Sequence, residues 1–308
     1  MTDDELQSRP DGGVATRPGT VAEADSEPRT DAETVGERPR LWPVRQVAAV
    51  ATQEYRLSIR NRWAFALTGL FGLLAVVLVT FGGSGVGPTS PDAFVASLVV
   101  LGTYLLPLAA LAFGYDAVVG PAENGWLDVV FALPVARSRV VVGTFLGRAA
   151  TLAAATLVGF GAGGVALGFR AGAVDWADYA TFVLAAVVCG AAFLALGLLV
   201  STLVAEKTQA LGLALLVWVW FVFGHDLVAL GAVAALDLPQ AALSAFVLAN
   251  PADVFRVLVL SQLGASGGGL AAALGGSALS WPVLAGALLA WVVVPVAAAT
   301  RLVRRVNV

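Results

Sequence analysis

The stretch AFALTGLFGLLAVVLVTF runs from Ala64 to Phe81 without a charged side chain. Eleven of its residues are Leu, Val or Phe, and each of these favours transfer into a bilayer by about 0.3–0.6 kcal/mol. An α-helix rises about 1.5 Å per residue, so this stretch is long enough to cross most of the roughly 30 Å of hydrocarbon in a membrane. We therefore predict that it forms a membrane-spanning helix.

The rest of the chain repeats this pattern. Hydrophobic residues make up 58% of the sequence and charged residues only 13%, a balance that a soluble core cannot accommodate. The other apolar blocks long enough to span are 93–115, 149–169, 179–205, 208–224 and 282–300. The sequence predicts an all-α polytopic membrane protein with six transmembrane helices.

The first residues differ sharply from the rest. Residues 1–40 contain ten acidic residues, five arginines and four prolines, a composition typical of disorder. They lack the apolar core of a secretory signal. We predict a disordered acidic cytoplasmic tail over residues 1–43 and one six-span domain over residues 44–308. Arginine accounts for 17 of the 18 basic residues, which together with the acidic tail predicts a halophilic source.

The basic residues also predict the orientation. Nine precede the first span, three follow the second, Lys207 follows the fourth and three close the chain, so 16 of 18 share one side. Only Arg170 and Arg256 lie on the other side. Because positive loops stay inside, we expect a multi-pass protein of the cell membrane with both termini in the cytoplasm.

An amphipathic segment, 45–63, precedes the first span. Its small and apolar residues recur at three- and four-residue spacing, at Ala48, Ala51, Tyr55 and Ile59, which predicts an interfacial elbow helix. A plain juxtamembrane anchor is the alternative. The candidate elbow residues are Glu54, Arg56, Arg60, Arg62 and Trp63.

The loop between the second and third spans, 114–139, carries the most information about function. Pro121 suits a first helical position, and Pro134 disfavours helix at the residue before it. We predict a helix of about thirteen residues between them, with one apolar stripe at Trp126, Val129, Val130 and Leu133. Such a short, two-faced helix can transmit movement from a soluble partner to the spans, or it can lie on the membrane.

This loop resembles the coupling region of the type-2 ABC transporter permease family. The matching positions are Glu123, Gly125, Leu127, Pro134, Val135, Arg137, Ser138 and Gly143. The resemblance implies a cytoplasmic coupling helix that contacts an ATPase subunit. The candidate coupling residues are Asp116, Glu123, Gly125, Trp126, Leu127, Pro134 and Arg137.

Three stretches are similar to one branch of that family, the NosY-type permeases of nitrous-oxide reductase maturation. They are 54–63, 104–116 and 250–256. The resemblance implies a permease that couples ATP hydrolysis by a cytoplasmic ATPase partner to movement of a small cargo for copper-site maturation. It also implies a homodimer and an extracytoplasmic accessory protein.

About 55 residues separate the fifth and sixth spans. Their apolar runs are too short to span and too hydrophobic to stay in water, so we expect a re-entrant outer segment. Asn250 and Pro251 break any helix there and either cap the next one or position Arg256 for recognition. The candidate contacts with an outer partner or cargo are Asn250, Pro251, Asp253, Phe255 and Arg256.

Several familiar motifs are absent or misleading. Residues 159–164 match the letters of a GxGxxG dinucleotide motif, but they lie within a predicted span, where a phosphate would have to enter hydrocarbon. Lys207 is not part of a Walker A loop, and His225 is the only histidine, so a metal site would need further ligands. We interpret His225 and Asp226 as a polar pair that ends the fifth span, with a proton-linked role as the alternative. We expect no catalytic residue, bound cofactor, metal or nucleic acid; ATP would bind the partner subunit.

Two other functions remain open from the sequence. A generic type-2 exporter permease for lipid, drug or peptide would share the architecture. A proton-coupled secondary transporter would use Asp116, Glu123, or His225 with Asp226, although such carriers place acidic residues deep within their spans. The genes that flank this one would distinguish these functions.

Overall fold

The computed structural model describes residues 42–81, 90–125, 136–171, 174–236, 238–263 and 279–305. Within these ranges all regular elements are helical. They are α1 (Trp42–Arg60), α2 (Trp63–Phe81), α3 (Pro91–Gly114), α4 (Val119–Glu123), α5 (Arg137–Ala171), α6 (Trp176–Leu203), α7 (Lys207–Val219), a π-helical segment (Trp220–Gly224), α8 (His225–Ala235), α9 (Gln240–Leu248), α10 (Pro251–Gln262) and α11 (Trp281–Arg305). Among the described residues, six straight helical stretches are long and apolar enough to span a membrane, which confirms the predicted number.

Helices α3 and α6 form the centre of the bundle. Both are largely buried, and their apolar side chains, such as Leu106 and Phe193, are fully enclosed. Helices α3, α5 and α11 pack along α6, while α1 and α2 pack along α5. Because α5 contacts α1, α2 and α6, it connects the amino-terminal helices to the centre.

Glycines allow α1 and α2 to approach α5 closely. A Cβ atom added at Gly143 would lie 2.6 Å from Val50 Cβ of α1, and one at Gly147 would lie 2.5 Å from the carbonyl oxygen of Ala51. A Cβ atom at Gly159 would lie 2.7 Å from Phe71 Cβ of α2. These small residues permit close helix contacts. The GxGxxG letters around Gly159 therefore belong to a helix-packing surface.

The third and fifth spans differ most from the predicted bounds. The third begins at Arg137, twelve residues before the predicted start, because the basic residues before Ala149 continue the helix. The fifth continues past Gly224, through the π-helical segment and on to Ala235. The prediction that His225 and Asp226 end a helix is wrong, because the helical backbone continues through both.

The segment before the sixth span contains a sharp break. Helices α9 and α10 meet at Asn250 at an angle of 111°, and together they are long and apolar enough to form one broken span or a re-entrant loop. Helix α10 packs against α3, α6 and α11. The break agrees with the predicted outer segment that enters the membrane without crossing it as a straight helix.

Helix α1 packs against α5 along one face. Val50, Ala51 and Glu54 lie on that face, whereas Ala48 and Tyr55 are exposed in the single chain. The helix that the apolar periodicity predicts is therefore present, and an ion pair and close glycine contacts determine which face packs on α5.

The outer surfaces of several spans are strongly apolar. Leu73 on α2, Leu216 on α7, Leu227 on α8 and Val294 on α11 are each more than half exposed. In a bilayer such surfaces contact lipid tails or another apolar helix without cost. The arrangement is that of a multi-pass membrane protein.

Candidate functional site

Arg148 of α5 connects two distant segments near the end of the bundle that carries α1 and α4, here called the α1 end. Its side chain is only 12% exposed. Nε donates to Glu54 Oε1 of α1 at 2.7 Å, and Nη1 donates to Asp116 Oδ1 at 2.7 Å. Nη1 also donates to the carbonyl oxygen of Phe113 at 2.5 Å. These short charge-assisted bonds hold α1, α5 and the end of α3 together.

Asp116 extends this network to the fifth span. Its second oxygen, Oδ2, lies 3.3 Å from Lys207 Nζ at the start of α7. The same ammonium group lies 5.7 Å from the centre of the Tyr115 ring. Asp116 is thus held by cations from two different spans.

Helix α4 is attached to the bundle at both ends. At its start, Ser201 Oγ of α6 accepts hydrogen bonds from the backbone N–H groups of Val118 and Val119 at 2.9 and 3.0 Å. At its end, Glu123 Oε1 accepts a bond from the backbone N–H of Lys207 at 2.5 Å. The hydroxyl therefore caps α4 from another helix, and the carboxylate caps the positive start of α7.

These contacts correct the predicted coupling helix. Helix α4 begins at Val119 rather than Pro121, because Ser201 supplies its cap. It ends at Glu123, and Gly125 follows with φ of +67°, a left-handed conformation that glycine adopts without strain. A single continuous helix of thirteen residues from Pro121 is therefore wrong. Glu123 also complements the start of α7 and not that of its own helix.

The remaining candidate coupling residues lie apart from these contacts or outside the described ranges. Trp126, Leu127 and Pro134 lie outside the described residues. Arg137 is the first residue of α5. The network of Glu54, Asp116, Glu123, Arg148, Ser201 and Lys207, here called the α1-end network, brings together three of the predicted site residues.

A cavity of about 430 Å³ adjoins the α1-end network. Its walls include Glu54, Asp116, Arg148 and Lys207 together with the aromatic rings of Trp63 and Phe113. It also reaches Pro121 of α4. The cavity places charged groups of both signs beside apolar surface at the junction of α1, α3, α4 and α7.

The other elbow residues lie where interfacial anchors are expected. Arg56 and Arg60 are exposed on α1. Arg62 adopts φ of 62° in the two-residue turn to α2, and Trp63 is 42% exposed with its ring 5.7 Å from that of Phe113. Exposed cations beside an indole at a helix start suit the boundary between headgroups and hydrocarbon.

A second polar cluster lies where α8 begins beside the α9–α10 bend. We call its five members, His225, Asp226, Asn250, Asp253 and Arg256, the far-end cluster. Lys207 and His225 are 18 residues apart along nearly continuous helix, which places this cluster roughly 27 Å from the α1-end network. Four of its members are at most 8% exposed.

Asn250 organises the far-end cluster. Its Oδ1 accepts a bond from the Ala252 N–H at 3.0 Å, which caps α10. Its amide nitrogen donates to the carbonyl oxygen of Phe221 in the π-helical segment at 2.8 Å and to Asp253 Oδ2 at 2.9 Å. The capping role that the sequence left open is therefore present.

The predicted outer contact residues are buried in the single chain. Pro251, Asp253 and Phe255 are enclosed, and Arg256 is 8% exposed. The Arg256 guanidinium faces Asp253 at 3.3 Å and Asp226 at 3.4 Å. The arginine is therefore not displayed on a surface in this conformation, because two carboxylates hold it inside.

Sequence reasoning missed three members of the α1-end network as site residues. From the sequence, Arg148 is only one of three basic residues that follow the second span, Ser201 carries no signal of its own, and Lys207 is a lysine outside any Walker A loop. The available signal was weak: one arginine next to a predicted apolar block, and one hydroxyl near the end of another. Their partners lie 32 to 94 positions away, so only the fold reveals the pairing.

Comparisons with known proteins agree with this architecture. The family model described as "ABC-2 family transporter protein" matches residues 48–307. The chain is 36% identical over 272 residues to the "Probable ABC transporter permease protein NosY" of Stutzerimonas stutzeri, covering 84% of this chain and 98% of that protein. It is 37% identical over 243 residues to the protein of the same name from Pseudomonas aeruginosa, covering 75% of this chain and 85% of that one.

The matched region includes all six spans, the α1-end network and the far-end cluster. It leaves out the whole acidic tail, residues 1–43. The chain belongs to the ABC-2 transporter family, as a NosY-like permease subunit of an ABC transporter.

Proposed function

We propose that this permease moves a small cargo across the membrane with energy from ATP that a separate cytoplasmic ATPase subunit binds and hydrolyses. The segment 116–137, here called the coupling segment, receives the movement of that subunit. The resemblance of this segment to the coupling region of type-2 permeases supports the assignment. The permease itself supplies no catalytic residue in this scheme.

The attachment of α4 is the observation that carries the proposal. Ser201 holds its start to α6, Glu123 holds its end to α7, and Asp116 just before it is held to α5 and α7. A displacement of α4 is therefore resisted by three spans at once. Rigid attachment of this kind passes a movement on, whereas a flexible loop would absorb it.

Glu54 brings the elbow helix into the same mechanism. Arg148 binds Glu54 and Asp116 through different nitrogen atoms, so α1 and the coupling segment share one cation. A shift of Asp116 would strain or break the bond to Glu54. The elbow helix would then move relative to α5 as the cavity beside Trp63 changes shape.

The cargo is proposed to serve maturation of the copper site of nitrous-oxide reductase. The similarity of the chain to two NosY permeases over most of its length supports this role. A homodimeric permease and an extracytoplasmic accessory protein complete the proposed assembly. The basic residues support an orientation with the α1 end in the cytoplasm.

Copurification with a co-expressed ATPase subunit is the first test. We expect a stable complex whose ATP turnover falls with Glu123→Gln, because the neutral amide complements the start of α7 less well. Asp92→Asn is the matched control, since Asp92 is an exposed acid in the first turn of another helix, α3, outside the coupling segment. Failure to copurify, or equal turnover in both variants, would refute the coupling role.

A second experiment tests the cargo. We expect deletion of the gene to leave nitrous-oxide reductase short of copper, and the wild-type gene to restore the metal content. If the reductase keeps its full copper content while export of a lipid, drug or peptide is lost, the generic exporter function is correct instead.

A further inference from the structure

Helix α1 carries its acidic and basic side chains on different sides. Its one acid, Glu54, faces α5, where Arg148 neutralises it at 2.7 Å. Arg56 and Arg60 are exposed and line a shallow groove along the outer side of the helix. At 100° per residue they lie about 160° and 120° around the helix axis from Glu54. The outer side of α1 is therefore positively charged.

Three arginines lie close to the junction of α1 and α2. Arg56 and Arg60 belong to the last two turns of α1, and Arg62 lies in the turn before Trp63, where the first span begins. All three are exposed. In the described part of the chain, no carboxylate lies within ion-pair distance of any of them. We call them the juxtamembrane arginines; their positive charges are uncompensated where the chain enters the membrane.

The packing of α1 on α5 sets the height of these arginines relative to the bilayer. Near the start of both helices, Arg139 donates to Gln46 at 2.6 Å, and further along Arg148 donates to Glu54 at 2.7 Å. The two helices therefore run side by side in the same direction. The apolar block of α5 begins only at Ala149, so this part of α1 lies outside the hydrocarbon and its last turns approach the membrane boundary.

Arg45 lies on the same side of α1 but far from the membrane. It is exposed and lines the same groove as Arg56 and Arg60. Arg45 precedes Arg56 by 11 residues, which is about 16 Å along a helix axis. Charges in physiological salt are screened over about 8 Å. Arg45 is therefore a similar cation that lies beyond the reach of the headgroups.

The chemistry of the junction favours a phosphate group as the partner. A guanidinium binds phosphate through two parallel hydrogen bonds, and basic residues beside a span are attracted to anionic lipids. Trp63 is 42% exposed next to the arginines, as expected of an indole at the membrane boundary. An acidic soluble protein would meet Arg45 as readily, whereas a lipid headgroup meets only the juxtamembrane arginines.

We propose that Arg56, Arg60 and Arg62 form a binding site for the phosphate group of an anionic phospholipid. Its acyl chains lie along the outer surface of α2, where Phe65 and Leu73 are 67% and 64% exposed. The bound lipid fixes the height of the junction between α1 and α2. This site goes beyond the proposed function, since it depends neither on the ATPase partner nor on the cargo.

Lipid retention by the purified full chain tests the site. The protein is prepared in detergent micelles with equal amounts of phosphatidylglycerol and phosphatidylcholine, and the bound lipids are counted by native mass spectrometry. We expect the wild type to retain more phosphatidylglycerol. One arginine near an anionic surface contributes about fivefold in affinity, so Arg60→Gln should lower the ratio of the two retained lipids about fivefold. Arg60→Lys keeps the charge and should preserve most of the ratio.

Arg45→Gln is the matched control, because it removes an exposed arginine from the same side of α1. It should retain both lipids in the same ratio as the wild type. The combined change of Arg56, Arg60 and Arg62 to glutamine should abolish the preference.

Three results would overturn the proposal. The wild type could retain both lipids equally, or Arg45→Gln could lower the ratio as much as Arg60→Gln does. Alternatively, the triple variant could keep the wild-type ratio and fail to copurify with the ATPase subunit, which would assign the arginines to that protein instead. Because lipid retention is measured without the ATPase, failure of the lipid site and failure of the proposed coupling are distinguishable.

Discussion

Replacement of Arg148 by glutamine should destabilise the protein by about 3 kcal/mol. Arg148 is the only described cation bound to Glu54, and its loss leaves that carboxylate partly buried without an ion pair. Removal of one partner from a buried pair costs about 3–5 kcal/mol. We expect the lower value, since Glu54 and Asp116 are 20% and 30% exposed and Lys207 remains near Asp116.

The free energy of unfolding can be measured by titration of purified micelles with a denaturing detergent. Arg56→Gln is the matched control, because Arg56 lies exposed on α1; its effect should stay within about 0.5 kcal/mol. In a double-mutant cycle, Glu54→Gln combined with Arg148→Gln should cost about 1–2 kcal/mol less than the sum of the single changes.

Two results would refute this reasoning. Arg148→Gln could cost no more than Arg56→Gln, which would mean that solvent compensates Glu54 fully. Alternatively, the double-mutant cycle could be additive within about 0.5 kcal/mol, which would mean that Arg148 and Glu54 do not act as a pair.

Three further substitutions test individual contacts by the same measurement. Gly147→Ala should lower the free energy of unfolding by about 1–3 kcal/mol, because its Cβ would meet the Ala51 carbonyl oxygen. Gly161→Ala on the same helix is the control, since its Cβ meets nothing within 4 Å and the change should be neutral. Equal effects of the two substitutions would contradict the packing. Ser201→Ala should lower the free energy of unfolding by about 1–2 kcal/mol and should also lower partner-stimulated ATP turnover. Unchanged turnover would count against a role of Ser201 in coupling. Tyr179→Phe removes the bond to the Phe160 carbonyl oxygen and should cost about 1 kcal/mol without affecting turnover; a loss of turnover would show that this contact is not purely structural.

The spans could be predicted because the bilayer imposes a length and a composition on each one. The errors occurred where charged or polar residues continue a helix. Arg137 and Arg148 were assigned to a loop, yet both lie in α5. A buried arginine is compatible with a span end when carboxylates from other segments neutralise it, and those segments cannot be identified from local sequence.

The bounds of α4 were also inaccessible to local patterns. Ser201 caps α4 from 82 positions away, and no propensity rule anticipates a cap supplied by another helix. The far-end cluster was partly visible, because Asn250 and Pro251 signal a helix start. Its connection to His225 depends on the continuation of the fifth span through the π-helical segment, which apolar periodicity does not reveal.

The division of labour between permease and ATPase is the central claim, and ATP hydrolysis in proteoliposomes tests it most directly. Turnover is measured for the permease alone, for the partner ATPase alone and for the two together. The account predicts no turnover by the permease alone and the highest turnover in the complex. Nucleotide hydrolysis by the purified permease alone would contradict it.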